Sequence, residues 1–143
     1  MCIRDRDTMP RVKLELPKEF NFSTEIQVRR SDINAGNHVG ADTLFMYTTD
    51  AMMVFLRKIG FLESDRKGSG LIMTDAALVF KSQAFYGETL KIEAAVTDFT
   101  KKSCSFYYLL TNRETGREIA RVKTTMVFFD YMNQKTIDVP AKF

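Results

Sequence analysis

The sequence predicts an α+β domain in which one long helix packs against a curved antiparallel sheet of about five strands. The segment from Ala41 to Ile59 is largely apolar and contains neither Pro nor Gly, which favours a helix of about four to five turns. The chain after residue 70 carries only alternating patterns typical of strands. The links between these strands are too short for parallel crossovers, so the sheet is expected to be mostly antiparallel.

Length and composition indicate a single soluble globular domain. The chain has 143 residues, of which 45% are hydrophobic and 27% are charged, and this is enough for one core. A net charge of +3 is too small to indicate nucleic acid or an anionic membrane as a partner, although it would tolerate an anionic small molecule. We expect residues 1–22 to form a tail and lead-in, with Met1 to Asp7 foreign to the fold, and residues 23–140 to form the domain.

The cysteine content indicates a reducing compartment. Cys2 and Cys104 are the only cysteines, and two cysteines make neither a disulfide framework nor a metal site. Cys104 is expected to be a small core residue rather than a nucleophile. No segment resembles a signal peptide, so we expect a cytoplasmic protein, and no metal ligands at a recognisable spacing are present.

The predicted helix has recognisable ends. Asp42 occupies the position of an N-cap residue, and Gly60 occupies the position of a C-terminal cap glycine after the basic residues Arg57 and Lys58. Because apolar residues occur on nearly every side of the helix, it is predicted to be buried and central. It is too short, and too interrupted by polar residues 48–50, to span a membrane.

The remaining elements follow in order along the chain. A half-buried first strand is predicted over Glu25–Arg30, with Ile26 and Val28 on its inner face. A polar loop, Ser31–His38, connects this strand to the helix. A charged, glycine-rich loop follows the helix at Glu63–Gly70. The later strands are expected at Leu71–Ser82, Leu90–Thr97, Ser103–Leu110 and Ala120–Phe128, with turns at Gly87-Glu88, Lys101-Lys102 and Glu114–Gly116.

Two stretches carry a resemblance to a known family. The first is Ser31–Ala41, which reads Ser-Asp-Ile-Asn-Ala-Gly-Asn-His-Val-Gly-Ala, and the second is Phe80–Glu88. Together with the order of elements, they resemble the hotdog-fold acyl-CoA thioesterases, in particular the 4-hydroxybenzoyl-CoA thioesterase family. The family's loop typically reads Ser-Asp-x-Asp-x-x-Gly/Asn-His-Val-Asn-Asn. The positions that match are Ser31, Asp32, Asn37, His38 and Val39.

The resemblance implies a hotdog fold and hydrolysis of an acyl-CoA thioester without a metal or prosthetic group. It does not transfer the catalytic base, because Asn34 occupies the position of the family's usual catalytic carboxylate. Gly40 and Ala41 stand where the family has an Asn pair. The loss of the carboxylate keeps a rival open, namely an acyl-CoA or acyl-carrier binding protein of the same fold that no longer hydrolyses.

Four residues are candidates for the catalytic group: Asp32, Asn34, His38 and Asp42. Asp32 is the preferred base, since an extended dipeptide puts it on the same side as Asn34, although an Asp in a turn often bonds its own backbone. Asn34 can orient a water but cannot take its proton. His38 suits acid–base chemistry or simply holds the loop. Asp42 is expected to cap the helix, with the role of base as the alternative.

Further residues are expected to contact the substrate. Backbone amides between Gly36 and Val39 would polarise the thioester carbonyl. Asp50, Thr74 and Asp75 would face the pocket, in part across a subunit boundary. The full set is Gly36, Asn37, Val39, Asp50, Thr74, Asp75, Lys81 and Ser82, with Arg121 and Lys123 as further candidates for coenzyme A phosphates.

The predicted sheet also bears on assembly. A thin sheet around one helix leaves edge strands that must be covered or paired, so we expect a homodimer or homotetramer. The sequence does not determine whether the acyl group is aromatic, short or long.

Overall fold

The computed structural model describes residues 12–61, 69–141 and 143. The predicted fold class is confirmed, since one helix packs against an antiparallel sheet of five long strands and one short strand. The elements are β1 (Phe22–Gln27), a 3-10 turn (Arg30–Asp32), α1 (Ala41–Lys58), β2 (Ser69–Phe80), β3 (Thr89–Thr97), β4 (Ser103–Asn112), β5 (Glu118–Asp130) and β6 (Lys135–Thr136). The predicted tail Met1–Asp7 lies outside the described residues.

The sheet has the order β1-β3-β4-β5-β2, and β6 pairs with the end of β5. Every pairing is antiparallel. β1 and β2 are therefore the edge strands. The register between β2 and β5 shifts between Met73 and Asp75, which indicates a bulge in the middle of the edge strand.

The core lies between the helix and one face of the sheet. Burial alternates along β5 almost residue by residue, because successive side chains of a strand point to opposite faces. Cys104 is fully buried in this core, as predicted, and its burial raises the pKa of its thiol to about 12. The largest fully buried side chains are Tyr47, Tyr108, Phe106, Phe128, Leu90, Ile92 and Leu110.

The start of the helix corrects one prediction. Gly40, not Asp42, is the N-cap residue; its backbone is extended (φ −71, ψ 159), and among the described residues no side chain caps the helix. The Gly40 carbonyl accepts the first helical hydrogen bond from Leu44, at 3.0 Å. Asp42 is therefore the second residue inside the helix, and its carboxylate is not used as a cap. The other end is as predicted, since Gly60 has φ +79, a conformation that favours glycine.

The prediction of a helix buried on all sides is wrong for the single chain. Met46 is 63% exposed, and Met53, Val54 and Ile59 are also exposed. The physical reason is that the sheet covers only one side of the helix, so the opposite stripe faces outward. The tertiary structure thus leaves an apolar face where the sequence indicated complete burial.

Two boundaries also differ from the prediction. β1 ends at Gln27 rather than at Arg30, because Arg30 opens the 3-10 turn that leads into the polar loop. The inner face is as predicted: Ile26 is half-buried and Val28 is buried. The predicted loop Glu63–Gly70 lies mostly outside the described residues, and its last two residues begin β2.

Candidate active site

The polar loop before the helix closes on itself through backbone hydrogen bonds. Ile33 and Val39 form an isolated antiparallel bridge. The Asn34 amide donates to the His38 carbonyl at 2.9 Å, and the Asn37 amide donates to the Asn34 carbonyl at 3.1 Å. Asn37 is at the exposed tip with φ 66, a left-handed conformation that Asn adopts more readily than most residues. The loop is therefore a defined turn that presents its side chains at the start of α1.

Asn34 is held in one orientation by this loop. Its Oδ1 accepts hydrogen bonds from the amides of Gly36 (2.9 Å) and His38 (3.4 Å). The side-chain nitrogen, Nδ2, is left on the side of Gly40, where a methyl group in place of the Gly40 hydrogen would lie 3.5 Å from it. Because the oxygen is committed to backbone donors, Asn34 presents an N–H donor toward Gly40.

Asp42 reaches the same point from the helix. A methyl group on Gly40 would lie only 2.6 Å from Asp42 Oδ1, so the carboxylate packs directly over the glycine. Asp42 is exposed, and among the described residues its carboxylate has no hydrogen-bond or ion-pair partner. Asn34 Nδ2 and the Asp42 carboxylate therefore converge above the backbone of Gly40.

Backbone donors complete this cluster. The amides of Ala41, Asp42 and Thr43 belong to the first turn of α1, where no helical carbonyl is available. No side chain of the described residues caps them. The positive end of the helix dipole therefore points at the space over Gly40. This arrangement can stabilise a negative oxygen that develops there.

The amides from Gly36 to Val39, which are predicted to polarise the thioester carbonyl, all donate to acceptors within the chain. The Gly36 and His38 amides donate to Asn34 Oδ1, the Asn37 amide donates to the Asn34 carbonyl, and the Val39 amide donates to the Ala84 carbonyl at 2.9 Å. These four amides thus already donate hydrogen bonds to the loop itself or to Ala84. The available amides begin one residue later, in the first turn of the helix.

Asp32 lies behind the loop rather than in the cluster. It is only 9% exposed and accepts hydrogen bonds from the Tyr47 hydroxyl (2.6 Å) and the Arg29 amide (3.0 Å). Its carboxylate also lies 3.5 Å from the Arg29 guanidinium. Asp32 therefore ties the start of the loop to the middle of α1.

The electrostatics of this pair follow from its burial and contacts. Burial by itself raises the pKa of Asp32, but the hydrogen bonds from Tyr47 and Arg29 and the charge of Arg29 outweigh it, so the pKa lies below its usual range. Burial and then the Asp32 carboxylate raise the pKa of Tyr47, so its hydroxyl stays protonated and donates. These contacts favour Asp32 as a structural acceptor and disfavour it as a general base.

His38 is half-buried at the edge of the cluster. Its Nδ1 lies 3.0 Å from the Val39 carbonyl, which assigns the proton to Nδ1. Its Nε2 then lies beside Gly36, 3.1 Å from the position of a methyl group there. The contact with Val39 favours the loop-holding role for His38.

The other residues predicted to contact the substrate are dispersed. Val39 is buried in the core at 3% exposure, and Asp50 is exposed about two turns further along α1. Lys81 is exposed, whereas the Ser82 hydroxyl donates to the Glu118 carbonyl at 2.7 Å and is not available. The structure therefore brings together Asn34, Gly36, His38 and Asp42, but not this group.

Thr74 and Asp75 lie in the middle of β2. Asp75 accepts a hydrogen bond from the Thr125 hydroxyl at 2.8 Å. Asp75 is paired with Thr125 in the register, and the adjacent Thr124 is buried against the core. Asp75 therefore lies on the sheet face opposite the helix and does not reach the cluster within one chain.

The two basic residues of β5 that were considered for phosphate binding also have internal contacts. Arg121 donates to the Glu118 carboxylate at 2.7 Å and to the Leu14 carbonyl at 3.0 Å. The Lys123 ammonium lies 5.7 Å from the centre of the Tyr107 ring. Both side chains belong to the outer face of the sheet.

Sequence reasoning missed the Tyr47 anchor and the stacking of Arg30 on Tyr86. Tyr47 could have been found, because it shares the buried helix face with Leu44 and Ala51 and a buried hydroxyl needs a partner. No local pattern indicates the contact between Arg30 and Tyr86, whose guanidinium carbon lies 4.7 Å from the ring centre.

The helix, the curved antiparallel sheet and the loop at the helix N-terminus define a hotdog-fold protein with a candidate hydrolytic site. The chain belongs to the Thioesterase-like superfamily, which it matches over residues 28–143. This match confirms the predicted family and enzyme class, a thioester hydrolase. No match is found among curated protein sequences.

Solved structures show the same fold. A 1,4-dihydroxy-2-naphthoyl-CoA thioesterase from Synechocystis is 18% identical, with a TM-score of 0.77 over 85% of this chain and 90% of that chain. A gentisyl-coenzyme A thioesterase is 20% identical, with a TM-score of 0.77 over 85% and 98%. A 12:0-ACP thioesterase from Umbellularia californica is 12% identical, with a TM-score of 0.72 over 83% of this chain and 46% of that chain.

The described residues contain neither a membrane-spanning helix nor a cluster of metal ligands. No helix of the described part of the chain is long and apolar enough to span a membrane. Within residues 12–61, 69–141 and 143, no group of three His, Cys, Asp or Glu side chains is placed to hold a metal ion.

Proposed function

We propose that this protein hydrolyses an acyl-CoA thioester to a free acid and coenzyme A, at the cluster over Gly40. The observation that carries this proposal is the convergence of three groups on one point: Asn34 Nδ2, the Asp42 carboxylate and the amides of the first helical turn, of which the last two have no partner among the described residues. Hydrolysis of a thioester needs a base, a positioned water and donors for an oxyanion, and these groups match those needs.

In the proposed reaction, Asn34 Nδ2 orients a water molecule over Gly40 and Asp42 removes one of its protons. The water oxygen forms a bond to the thioester carbonyl carbon, and the carbonyl oxygen becomes an oxyanion that accepts from the amides of residues 41–43. The tetrahedral intermediate then collapses with cleavage of the C–S bond. Coenzyme A leaves as the thiol, with the proton that Asp42 had taken. A carboxylate, an amide and backbone donors complete this scheme without a metal or prosthetic group.

The assignment of the base to Asp42 differs from the prediction that Asp32 fills this role. Asp32 is buried and already accepts from Tyr47 and Arg29, and its lowered pKa disfavours proton uptake. Asp42 is exposed and lies beside Asn34 across Gly40. The loop's missing carboxylate at position 34 is thus replaced in space by a carboxylate from the helix.

Release of free thiol from a panel of acyl-CoAs tests the proposal. Asp42→Asn should lower turnover by about 10²–10⁴-fold, the usual size of a general-base contribution. Asp138→Asn is the matched control, because this exposed carboxylate pairs with Lys102, outside the loop and the first helical turn. Full activity of Asp42→Asn, together with its loss in a normally melting Asp32→Asn variant, would overturn the assignment.

The same panel distinguishes hydrolysis from mere binding. If the parent binds acyl-CoAs by calorimetry but releases thiol from none of them, the hydrolytic proposal fails. The rival reading, a binding protein of the same fold, would then hold.

We also propose that the protein is a homodimer at least, formed by pairing of the β2 edges of two copies. β2 is 12 residues long and pairs only with β5 among the described strands, so the part of its outer edge that precedes Leu78 is available to a second copy. A second copy would also supply a wall for the cluster, because Asn34, Gly36 and Asp42 are all exposed in the single chain. Light scattering should give at least twice the mass of 16.5 kDa, and a pure monomer at micromolar concentration would refute this.

A further inference from the structure

Arg30 and Tyr86 form an exposed platform beside the polar loop. The Arg30 guanidinium carbon lies 4.7 Å from the centre of the Tyr86 ring, and Tyr86 is 58% exposed. Among the described residues, no carboxylate is paired with Arg30. The guanidinium therefore keeps its hydrogen-bond donors available, although one of its faces is held against an aromatic ring.

A cleft continues from the ring. It has a volume of about 340 Å³ and is lined by Tyr86, Gly87, Glu88, Thr89, Asn112, the exposed Glu114 and Thr115. The one half-buried carboxylate in it, Glu88, accepts from Asn112 Nδ2 at 2.8 Å and lies 3.3 Å from the Arg117 guanidinium. Its charge is thus balanced internally, and the cleft offers room for a flat group next to an aromatic face.

Backbone hydrogen bonds fix this platform next to the candidate active site. The Val28 amide donates to the backbone carbonyl of Glu88 at 2.8 Å, and the Gly87 amide donates to the backbone carbonyl of Val28 at 3.1 Å. The Val39 amide, one residue before Gly40, donates to Ala84 at 2.9 Å. Because Tyr86 is two residues from Ala84, the Tyr86 Cα lies within about 7 Å of the Cα of Ala84, the residue that supports the loop.

We propose that the Arg30–Tyr86 platform binds the adenine nucleotide end of coenzyme A, an inference that rests on the proposed thioesterase function. The adenine ring stacks on Tyr86 and extends into the cleft, and a phosphate accepts from the Arg30 guanidinium. Stacking on an aromatic side chain and charge-assisted bonds from Arg are the interactions that recognise this kind of ligand. The flexible pantetheine arm connects this platform to the thioester over Gly40.

Two substrates with the same acyl group separate this contact from the chemistry. One is the acyl-CoA, and the other is the acyl thioester of pantetheine, which lacks the nucleotide. Arg30→Ala and Tyr86→Ala should each raise KM for the acyl-CoA about tenfold, the effect of losing roughly one stacking or charged contact. Their kcat, and their KM for the pantetheine thioester, should stay at parental values.

Conservative and remote variants serve as controls. Tyr86→Phe keeps the ring and should behave as the parent. Arg57→Ala removes another exposed arginine, which lies in the last turn of α1 at the opposite end of the helix from the loop, and should leave both KM values unchanged. A KM rise shared by both substrates in Arg30→Ala and Tyr86→Ala would overturn the inference, because it would indicate a displaced loop rather than a lost nucleotide contact.

The inference and the proposed function fail in different ways. If the parent hydrolyses both thioesters with equal kcat/KM, the nucleotide is not recognised and the inference is wrong, whereas the proposed function stands. If the parent hydrolyses neither thioester, the proposed function is wrong. Calorimetry with free coenzyme A and the same variants then decides the nucleotide site separately, and unchanged affinity in Arg30→Ala and Tyr86→Ala would overturn it.

Discussion

The arrangement over Gly40 can be tested by adding a single methyl group, in the variant Gly40→Ala. That methyl group would lie 2.6 Å from Asp42 Oδ1, whereas ordinary contact begins at 3.4 Å. The Asp42 carboxylate must therefore move by about 1 Å, and a misplacement of about this size can cost roughly 10²-fold in rate. We expect Gly40→Ala to lower kcat by about 10²-fold.

The fold should tolerate this change. The Gly40 backbone is in the extended region (φ −71, ψ 159), which alanine adopts without strain. The obstructing atom is the end of a surface side chain, so it can move aside. Because alanine also reduces the conformational entropy of the unfolded chain, the free energy of unfolding should change by no more than about 1 kcal/mol. Thermal melting and steady-state thiol release, measured on the same preparation, should show a lowered kcat with a nearly unchanged melting temperature.

A double variant identifies the cause of the loss. If Gly40→Ala acts by displacing Asp42, then adding it to Asp42→Asn should cost little further activity, since coupled residues are not additive. The reasoning is refuted if Gly40→Ala is fully active. It is equally refuted if Gly40→Ala lowers the residual activity of Asp42→Asn by the same factor as in the parent, because the methyl group would then obstruct the substrate instead.

Three further predictions concern the loop and its anchor. Asn34→Asp keeps an oxygen acceptor for the loop amides and places a carboxylate over Gly40. Added to Asp42→Asn, it should therefore restore part of the lost activity, as measured by thiol release. If the double variant is no more active than Asp42→Asn, the two side chains do not act at one site. Asp32→Asn and Tyr47→Phe should each lower the free energy of unfolding, measured in urea, by about 1–3 kcal/mol. The double variant should lower it by less than the sum of the two single losses, because both remove the same 2.6 Å hydrogen bond. Strictly additive losses would argue against that bond. Because the pKa of Asp32 is lower in the folded protein than in the unfolded chain, its ionised form stabilises the fold at pH values above the unfolded pKa of about 3.9. This stabilisation should be lost as the pH falls through the pKa of Asp32 in the folded protein. Between about pH 2 and 6, the melting temperature of Asp32→Asn should therefore fall less with acid than that of the parent.

The secondary structure and the position of the loop could be predicted from the sequence because they depend on local properties. The long segment without Gly or Pro becomes α1, which ends at Lys58. Gly60 follows with a positive φ that other residues rarely adopt. The alternation of apolar residues places the strands because a strand exposes opposite faces in turn. The family resemblance, carried by Ser31–Ala41, correctly located the loop at the entrance to the helix.

The state of each polar group was decided only by the tertiary structure. Asp32 was predicted to be the base, but it meets Tyr47, which lies 15 residues away in the chain, and becomes an internal acceptor. Val39 was predicted to offer its amide, but that amide donates to Ala84 in a distant segment. Local sequence patterns determine helices, strands and turns through backbone sterics and the spacing of apolar side chains. The availability of a donor or a carboxylate depends instead on the partner that folding brings to it. For this reason the sequence located the loop, whereas the fold decided that the carboxylate beside it without a partner among the described residues is Asp42 rather than Asp32.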